Sequence, residues 1–228
     1  MDKANNWLEE KLNYRFDDVD LFRQALTHRS AAGKNNERLE FLGDAVLDFV
    51  ISEALYRTSP DADEGDLSRL RASLVRDASL AGIAVELGIG EHLYLGGGER
   101  KSGGHRRDSI LADALEAILG AVYLDRGFEA ARELIERLFS ERLQNLPHVD
   151  ELRDPKTRLQ EWLQARQLPL PDYELIEVKG QAHKQTFRVR GVVAGQEVEA
   201  SGKGTSRRNA EQQAAERLLR ALRAADKS

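Results

Sequence analysis

The spacing of apolar residues changes once along this chain, and that change limits what the chain can fold into. Through residues 3–144, apolar side chains recur three and four positions apart, which is the period of amphipathic helices. Asp18 and Asp108 are typical helix starts, and Gly88 and Gly127 are typical helix ends. The pattern predicts an all-α N-terminal domain over residues 1–145. Its predicted helices lie at 7–12, 19–26, 37–56, 67–87, 109–124 and 128–143.

The pattern is different after residue 153. Three segments alternate apolar and polar residues as half-buried antiparallel strands do, and Gly180 and Gly195 separate them. A helical period precedes and follows the three. We therefore predict a small α+β domain over residues 154–224, with the order α-β-β-β-α, after a linker at 146–153. Its predicted helices are 155–166 and 206–224, and its predicted strands are 173–179, 184–190 and 196–200.

Charge is distributed unevenly between these two parts. Residues 152–228 hold 15 Lys and Arg against 10 Asp and Glu, a net charge of +5. Because the whole chain has a net charge of −5, residues 1–151 have a net charge of −10. A basic tail on an acidic body suggests that one part grips a polyanion while the other holds cations. The chain has no cysteine, which excludes disulfides and cysteine–zinc sites, and no apolar run long enough to cross a membrane. We expect a cytoplasmic protein.

Segment 37–46 predicts a helix with two chemically different sides. At about 100° per residue, Glu37, Glu40 and Asp44 fall within roughly 60° of one another. Acidic residues on such a helix are usually a solvated face, but a helix this rich in apolar residues is expected to be mostly buried, where carboxylates need partners. The opposite side carries Leu39, Leu42, Val46 and Val50.

A second pair of acidic residues has the same character. Asp113 and Glu116 are three positions apart and share a helix face, where Ala117 and Gly120 are small enough to let another helix approach closely. Carboxylates on two helices, in a chain without cysteine, indicate a site for a hard divalent cation, and Mg²⁺ is the expected one. No pair of histidines suggests metal-free acid–base catalysis instead.

Several short motifs carry a family resemblance. Residues 36–44 read NERLEFLGD, and 113–117 read DALEA. Together with LTHRS at 26–30, DEG at 63–65 and KSGG at 101–104, they resemble, in order, the motifs of the ribonuclease III family of double-stranded RNA endonucleases. Residues 154–223 resemble a double-stranded RNA-binding domain. The resemblance covers nearly the whole chain.

The resemblance implies an activity and a set of acidic residues. It implies a homodimer whose two centres each cut one strand of structured precursor RNAs such as ribosomal transcripts, leaving 5′-phosphate and 3′-hydroxyl ends with short 3′ overhangs. Mg²⁺ is the implied cofactor, for which Mn²⁺ would substitute. Asp44 would order metal-bound water, and Asp44 and Glu116 are the predicted catalytic residues. The predicted metal ligands are Glu40, Asp113 and Glu116, and the accessory acidic residues are Glu37 and Glu64.

The resemblance also implies contacts with duplex RNA. The opening helix and the loop 180–183 would reach two minor grooves, and basic residues at the start of the last helix would contact the phosphates between them. Lys101, in a Gly- and Arg-rich loop, would contact phosphate as well, and a solvated loop of the same composition is the alternative. Glu211 stands where such domains often have Lys, which weakens the expected contact there. The predicted RNA-binding residues are Thr157, Gln160, Glu161, Gln164, His183, Lys203, Arg207, Arg208 and Lys101.

Phe41 lies on the acidic side of its helix, away from the leucines, so we predict that it packs against the partner subunit of a homodimer. Ordinary packing within the chain is the alternative for this residue. For the whole chain, the alternatives are a non-catalytic double-stranded RNA-binding protein on a nuclease scaffold and a helical metal-dependent hydrolase of nucleotides. The intact carboxylates disfavour the first, and the RNA-binding tail disfavours the second.

Overall fold

The chain divides into two compact units between Pro147 and His148 in a computed structural model, which describes residues 7, 10–181 and 184–226. The first unit is helical. Its elements are α1 (Val19–Ala25), α2 (Glu37–Thr58), α3 (Glu64–Val75), α4 (Asp77–Leu87), α5 (Gly97–Lys101) and α6 (Asp108–Gln144), with 3₁₀ turns at Ile89–His92 and Gly104–Arg106.

The core of the first unit lies where α2, α4 and α6 pack together. Leu47 and Ile51 of α2, Leu80 of α4, and Leu115 and Phe139 of α6 are at most 1% exposed. The predicted apolar side of α2 faces this core, with Leu42 only partly buried and the other three residues buried. Asp18 caps α1 by accepting from the backbone N–H of Asp20 and Leu21, as its position predicted. Gly88 ends α4 in the left-handed region.

One predicted helix in this unit is wrong. The single helix predicted over 67–87 is two helices, α3 and α4, because Arg76 between them is extended, with ψ 151°. The apolar period continues across the break, since both helices face the same core, and neither Gly nor Pro marks it. The two helices predicted at 109–124 and 128–143 are both present: α6 is interrupted at Gly127, where φ is 82° and the backbone is not helical, so the predicted break is confirmed. In the helix predicted at 7–12, residues 7 and 10–12 are helical, and residues 8 and 9 lie outside the described residues.

The second unit has the predicted order α-β-β-β-α, preceded by one short helix within the segment predicted as a linker. It contains α7 (Val149–Leu152), α8 (Pro155–Gln164), β1 (Pro171–Lys179), β2 (Thr186–Val193), β3 (Glu199–Gly204) and α9 (Arg207–Ala225). The strands form one antiparallel sheet in the order β1-β2-β3, with Tyr173 opposite Gly191 and Gly191 opposite Ala200. Asp154 and Ser206 cap α8 and α9. Leu159, Leu163 and Leu218 are fully buried in the core between these helices and the sheet.

The predicted third strand, 196–200, is displaced. A turn in which Gly195 has φ 77° delays the strand to Glu199, and it continues to Gly204. The second half of the strand contains Gly202 and Gly204, so no apolar residues alternate with polar ones there. A Cβ on Gly202 would lie 2.0 Å from the carbonyl oxygen of Ala210, so the strand passes directly under α9. This part of β3 is defined by close packing rather than by an apolar pattern.

Candidate functional site

Two glycines bring α2 and α6 into backbone contact. A Cβ on Gly43 would lie 1.8 Å from the carbonyl oxygen of Glu116, and one on Gly120 would lie 2.2 Å from that of Leu39. Neither position can hold a larger side chain without moving a helix. The sequence pattern indicated Gly120 but not Gly43. A glycine inside an otherwise strongly apolar helix is the signal that identifies such a position, since glycine costs helix stability.

This contact brings together carboxylates from the two helices. Glu40 on α2 and Asp113 and Glu116 on α6 each offer an oxygen atom, and the three atoms all lie within 4.8 Å of one another. All three residues are partly buried. We call these three residues the carboxylate cluster. They are the three residues predicted from the sequence as metal ligands, and a group of hard oxygen donors at this spacing suits Mg²⁺ or Mn²⁺.

The protonation equilibria of the cluster reflect burial and like charge. Burial, followed by the charges of Asp44 and Glu40, raises the pKa of Glu116 to about 8. Burial, followed by the charge of Asp77, raises the pKa of Asp113. Burial and the charge of Asp113 raise the pKa of Glu40. Negative charge is therefore costly here, and a bound cation would relieve that cost.

Asp77 is an acidic neighbour that sequence reasoning missed. It is the first residue of α4, and its charge raises the pKa of both Asp113 and Glu116. The prediction of one helix over 67–87 concealed it, because it placed Asp77 in mid-helix. An aspartate is a favoured first-turn residue, so a helix start at this point was the available signal.

The remaining predicted acidic residues lie outside the three-residue cluster. Asp44 is exposed, one turn beyond Glu40 on α2. Glu37 accepts a hydrogen bond from the Asn35 amide, 3.0 Å away, and lies 3.6 Å from a nitrogen of Arg29. Glu64 is exposed at the first residue of α3, where it accepts a hydrogen bond from Ser68.

The predicted RNA-binding residues of the second unit lie at its surface. Those on α8 are exposed, and Glu161 there pairs with Arg153 at 2.9 Å. Lys203, Arg207 and Arg208 are exposed at the end of β3 and the start of α9. His183 lies outside the described residues. In the first unit, Lys101 is exposed at the end of α5, so the predicted Gly- and Arg-rich loop contains a short helix.

Glu211 forms ion pairs with two basic side chains of the second unit. Its two carboxylate oxygens accept hydrogen bonds from Lys156, at 2.8 Å, and from Arg207, at 2.9 Å. Lys156 also lies over the ring of Tyr173, 4.6 Å from its centroid. Glu211 thus joins the starts of α8 and α9, and part of the positive charge of Arg207 is already neutralised within the unit.

Aromatic side chains on α2 remain open to solvent. Phe41 is 79% exposed, Phe49 is 58% exposed and Tyr56 is 75% exposed. Their spacing of seven and eight residues places them along one side of the helix. Phe41 packs into no core within the described part of the chain. Of the helices described, none is both long and apolar enough to cross a lipid bilayer, and the cytoplasmic location stays a prediction.

Comparisons with known proteins assign both units. Residues 18–143 match the family profile Ribonuclease-III-like, and residues 155–222 match the double-stranded RNA binding motif. Ribonuclease 3 of Alkalilimnicola ehrlichii is 58% identical over 215 residues, which cover 94% of this chain and 94% of that protein. Ribonuclease 3 of Methylococcus capsulatus is 58% identical over 222 residues, which cover 97% of this chain and 96% of that protein.

The first unit is also similar to solved structures of ribonuclease III nuclease domains. The nuclease domain of ribonuclease III from Campylobacter jejuni is similar with a TM-score of 0.60 and 46% identity, covering 64% of this chain and 99% of that chain. A second structure of that domain, which shows structural flexibility in a region involved in dimer formation, has a TM-score of 0.58 and 48% identity. It covers 59% of this chain and 95% of its own.

A helical unit with converging carboxylates, followed by a motif that binds double-stranded RNA, defines an endoribonuclease that acts on duplex RNA. The chain belongs to the ribonuclease III family, which confirms the family and the fold class expected from its motifs.

Proposed function

We propose that this chain hydrolyses phosphodiester bonds of double-stranded RNA with a divalent metal ion, and that the ion is Mg²⁺, with Mn²⁺ able to replace it. The observation that carries the proposal is the carboxylate cluster, whose oxygen atoms lie within 4.8 Å of one another. Burial and crowded negative charge raise the pKa of Glu116, which is the situation that a divalent cation stabilises. The companion RNA-binding unit supports duplex RNA as the substrate.

Each acidic residue has a separate role in the proposal. Glu40, Asp113 and Glu116 hold the ion, which when bound supplies charge neutralisation at the phosphate and acidifies water. Asp44, exposed beside the cluster, accepts a hydrogen bond from the attacking water and orients it. Glu37 and Glu64 are accessory, since they lie outside the cluster and contact other side chains.

The products that we propose carry 5′-phosphate and 3′-hydroxyl ends with short 3′ overhangs, and the substrates include ribosomal and other structured precursor RNAs. Membership of the family supports both statements. The test is to incubate the protein with a long RNA duplex in Mg²⁺, in Mn²⁺ and in EDTA, and to analyse the ends. We expect cleavage only with metal, and 5′-phosphate ends. Undiminished cleavage in EDTA, or cyclic phosphate ends, would contradict the proposal.

We assign the grip on the duplex chiefly to the second unit. Its net charge of +5 over residues 152–228 and its exposed basic residues suit a polyanion. The polar residues of α8 are exposed, as contacts with a minor groove require. Lys101 of the first unit adds a phosphate contact. His183 is retained as a proposed contact from the family resemblance.

We further propose that two copies of the chain form a two-fold dimer through the aromatic side of α2. Duplex RNA has two antiparallel strands, and a two-fold dimer would present one carboxylate cluster to each. Phe41 is 79% exposed one residue away from Glu40, so packing it against a partner subunit would also restrain the cluster. The related nuclease domain from Campylobacter jejuni has a region involved in dimer formation, which supports the same kind of assembly here.

Sedimentation of the wild type and Phe41→Ala tests this assembly. Removing a phenylalanine that is buried in an interface costs about 3 kcal/mol, and a two-fold dimer loses two of them, so the dimer dissociation constant should rise by at least about 100-fold. Val85→Ala is the matched control, because Val85 is also exposed, at 65%, but lies on α4. A wild type that is monomeric at micromolar concentration while cutting both strands would refute the dimer. Equal dissociation constants would refute the role of Phe41.

A further inference from the structure

A cavity of about 420 Å³ adjoins the carboxylate cluster. Glu40 and Asp113, two members of the cluster, form part of its wall. Asn36, at the start of α2, forms another part, with Arg29 and Arg107. Whatever occupies this space is therefore in contact with the cluster and also meets a set of hydrogen-bond donors.

Asn36 is unusual among the polar residues of this wall. It is only 2% exposed, and its side-chain Nδ2 is buried without a hydrogen-bond partner in the described part of the chain. The backbone of Asn36 is fully used: its N–H donates to the Thr27 carbonyl at 2.8 Å, and its carbonyl accepts from Leu39 and Glu40 at 2.9 Å each. The side chain makes no capping hydrogen bond to α2. Nδ2 thus contributes no hydrogen bond to the described part of the fold.

A buried donor without a partner destabilises a fold, so such groups are rare and need an explanation. The charged donors of the cavity already have carboxylate partners. Arg107 pairs with Glu99 at 2.8 Å, and a nitrogen of Arg29 lies 3.6 Å from Glu37. Asn36 differs from both, because it is neutral and unpartnered.

A neutral donor suits this position chemically. Arg29 and Arg107 also line this cavity, but they are paired with Glu37 and Glu99. An unpaired lysine or arginine in place of Asn36 would compete with the metal ion for the oxygen atoms of the cluster. An amide N–H donates to an anionic oxygen without adding a charge that the carboxylates would attract. Nδ2 itself is buried, so the side chain must turn towards the cavity before Asn36 contacts a phosphoryl oxygen. Glu40 and Asp113 then remain available to a cation.

We propose that Asn36 donates a hydrogen bond through Nδ2 to a non-bridging oxygen of the phosphate that is cut, and keeps this contact to the 5′-phosphate of the product. The inference rests on the proposed function and adds to it a substrate-binding residue outside the acidic set. It gives a reason for the unpartnered amide, because the lost hydrogen bond is made only when RNA is bound.

The test compares short product-like RNA duplexes that carry either a 5′-phosphate or a 5′-hydroxyl, bound in Ca²⁺ to suppress cleavage. We expect the wild type to prefer the 5′-phosphate form through both the metal ion and Asn36. In Asn36→Ala this preference is expected to fall about tenfold, as the loss of a hydrogen bond to a charged group implies. Asn36→Asp, of nearly equal volume, replaces the donor with an acceptor and is expected to lower the preference at least as much.

Melting temperature provides the readout that separates this role from a structural one. Asn36→Ala removes no hydrogen bond of the free protein, so its melting temperature in EDTA is expected to be unchanged or higher. Asn35→Ala is the matched control, because Asn35 makes two hydrogen bonds with Glu37. It is expected to lower the melting temperature and to keep the 5′-phosphate preference.

The outcomes separate this inference from the proposed function. If the wild type cuts duplex RNA but has no 5′-phosphate preference, or if Asn36→Ala and Asn36→Asp both keep that preference, the role of Asn36 is refuted and the proposed function stands. A fall in melting temperature without a change in preference means that Asn36 is structural. A wild type that does not cut duplex RNA in Mg²⁺ refutes the proposed function itself.

Discussion

Glu116 in the first unit and Glu211 in the second are both partly buried glutamates, yet their surroundings are opposite. Glu116 lies among carboxylates, and burial together with the charges of Asp44 and Glu40 raises its pKa to about 8. Glu211 has only 14% of its side chain exposed. Burial alone would raise its pKa too, but hydrogen bonds and charges from Lys156 and Arg207 outweigh burial and lower the pKa.

These opposite surroundings distinguish a carboxylate that supports the structure from one that binds a ligand. Glu211 has its countercharges within the fold and connects two helix starts, so it stabilises the free protein. Glu116 has like charges as neighbours, so its ionised form destabilises the free protein until a cation binds. The same residue type therefore has opposite effects on stability in the two units.

The largest effect that would test this contrast is on cleavage. Glu116→Gln removes one charged ligand of the proposed ion, and we expect cleavage of duplex RNA in saturating Mg²⁺ to fall by about a thousandfold. Binding of the duplex in Ca²⁺ should survive, because the second unit is unchanged. Glu133→Gln, an exposed position on the same helix, is the control and should cut normally. A near-normal rate in Glu116→Gln would show that the metal assignment is wrong.

The same substitution should increase the stability of the metal-free protein. The pKa of Glu116 is about 8 in the fold and about 4.5 in an unfolded chain, so between these values the folded state binds more protons. Stability due to this group is therefore complete below about pH 4.5 and is lost as the pH rises to about 8.

We expect Glu116→Gln to be more stable than the wild type in EDTA at pH 8, by about 1–2 kcal/mol after allowance for partial exposure to solvent. The gain should shrink towards pH 5 and disappear when Mg²⁺ stabilises the wild type. Urea denaturation at several pH values measures it. A variant that is less stable than the wild type at pH 8 in EDTA would remove the distinction between Glu116 and Glu211.

Glu211→Gln should change stability in the other direction, by a smaller amount. It leaves Lys156 and Arg207 without their carboxylate, and we expect a loss of about 1 kcal/mol near neutral pH. Because the pKa of Glu211 is lowered in the fold, this contribution is present above about pH 4.5 and is lost as the pH falls through the lower value. Glu216→Gln, on the same helix with 47% of its side chain exposed, is the control for urea denaturation. A Glu211→Gln variant as stable as the wild type would mean that the ion pairs of Glu211 contribute nothing to the free energy of unfolding.

Much of the fold could be predicted because the apolar period reports which side of each element faces a core. That period is clear in α2, α6 and α9, where the predicted elements differ from the observed ones by only a few residues and the predicted break at Gly127 is present. It cannot report a break such as Arg76, since α3 and α4 present apolar residues to one core. It also cannot report β3 at Gly202, where packing depends on the absence of a side chain.

The candidate site shows the same limit. The face shared by Glu40 and Asp44, and that shared by Asp113 and Glu116, follow from helix geometry alone. That Glu40, Asp113 and Glu116 converge depends on how closely α2 and α6 approach, which is set by Gly43 and Gly120. Proximity between different elements, as with Asp77, has no local signature in the sequence.

The smallest effect concerns how strongly the internal pairing of Arg207 limits its contact with RNA. Arg207 and Arg208 are adjacent and exposed, but Arg207 donates to Glu211 at 2.9 Å, whereas Arg208 has no carboxylate partner among the described residues. A phosphate contact contributes about one unit to the slope of log affinity against log salt concentration.

We expect Arg208→Gln to reduce that slope by about one unit and Arg207→Gln by about half as much, since part of the charge of Arg207 is already neutralised. Titrations of a duplex in Ca²⁺ over a series of KCl concentrations measure both, with Arg220→Gln, farther along α9, as the unaffected control. Equal reductions for Arg207 and Arg208 would show that Arg207 leaves Glu211 when RNA binds, and that the pairing in the second unit is not retained in the complex.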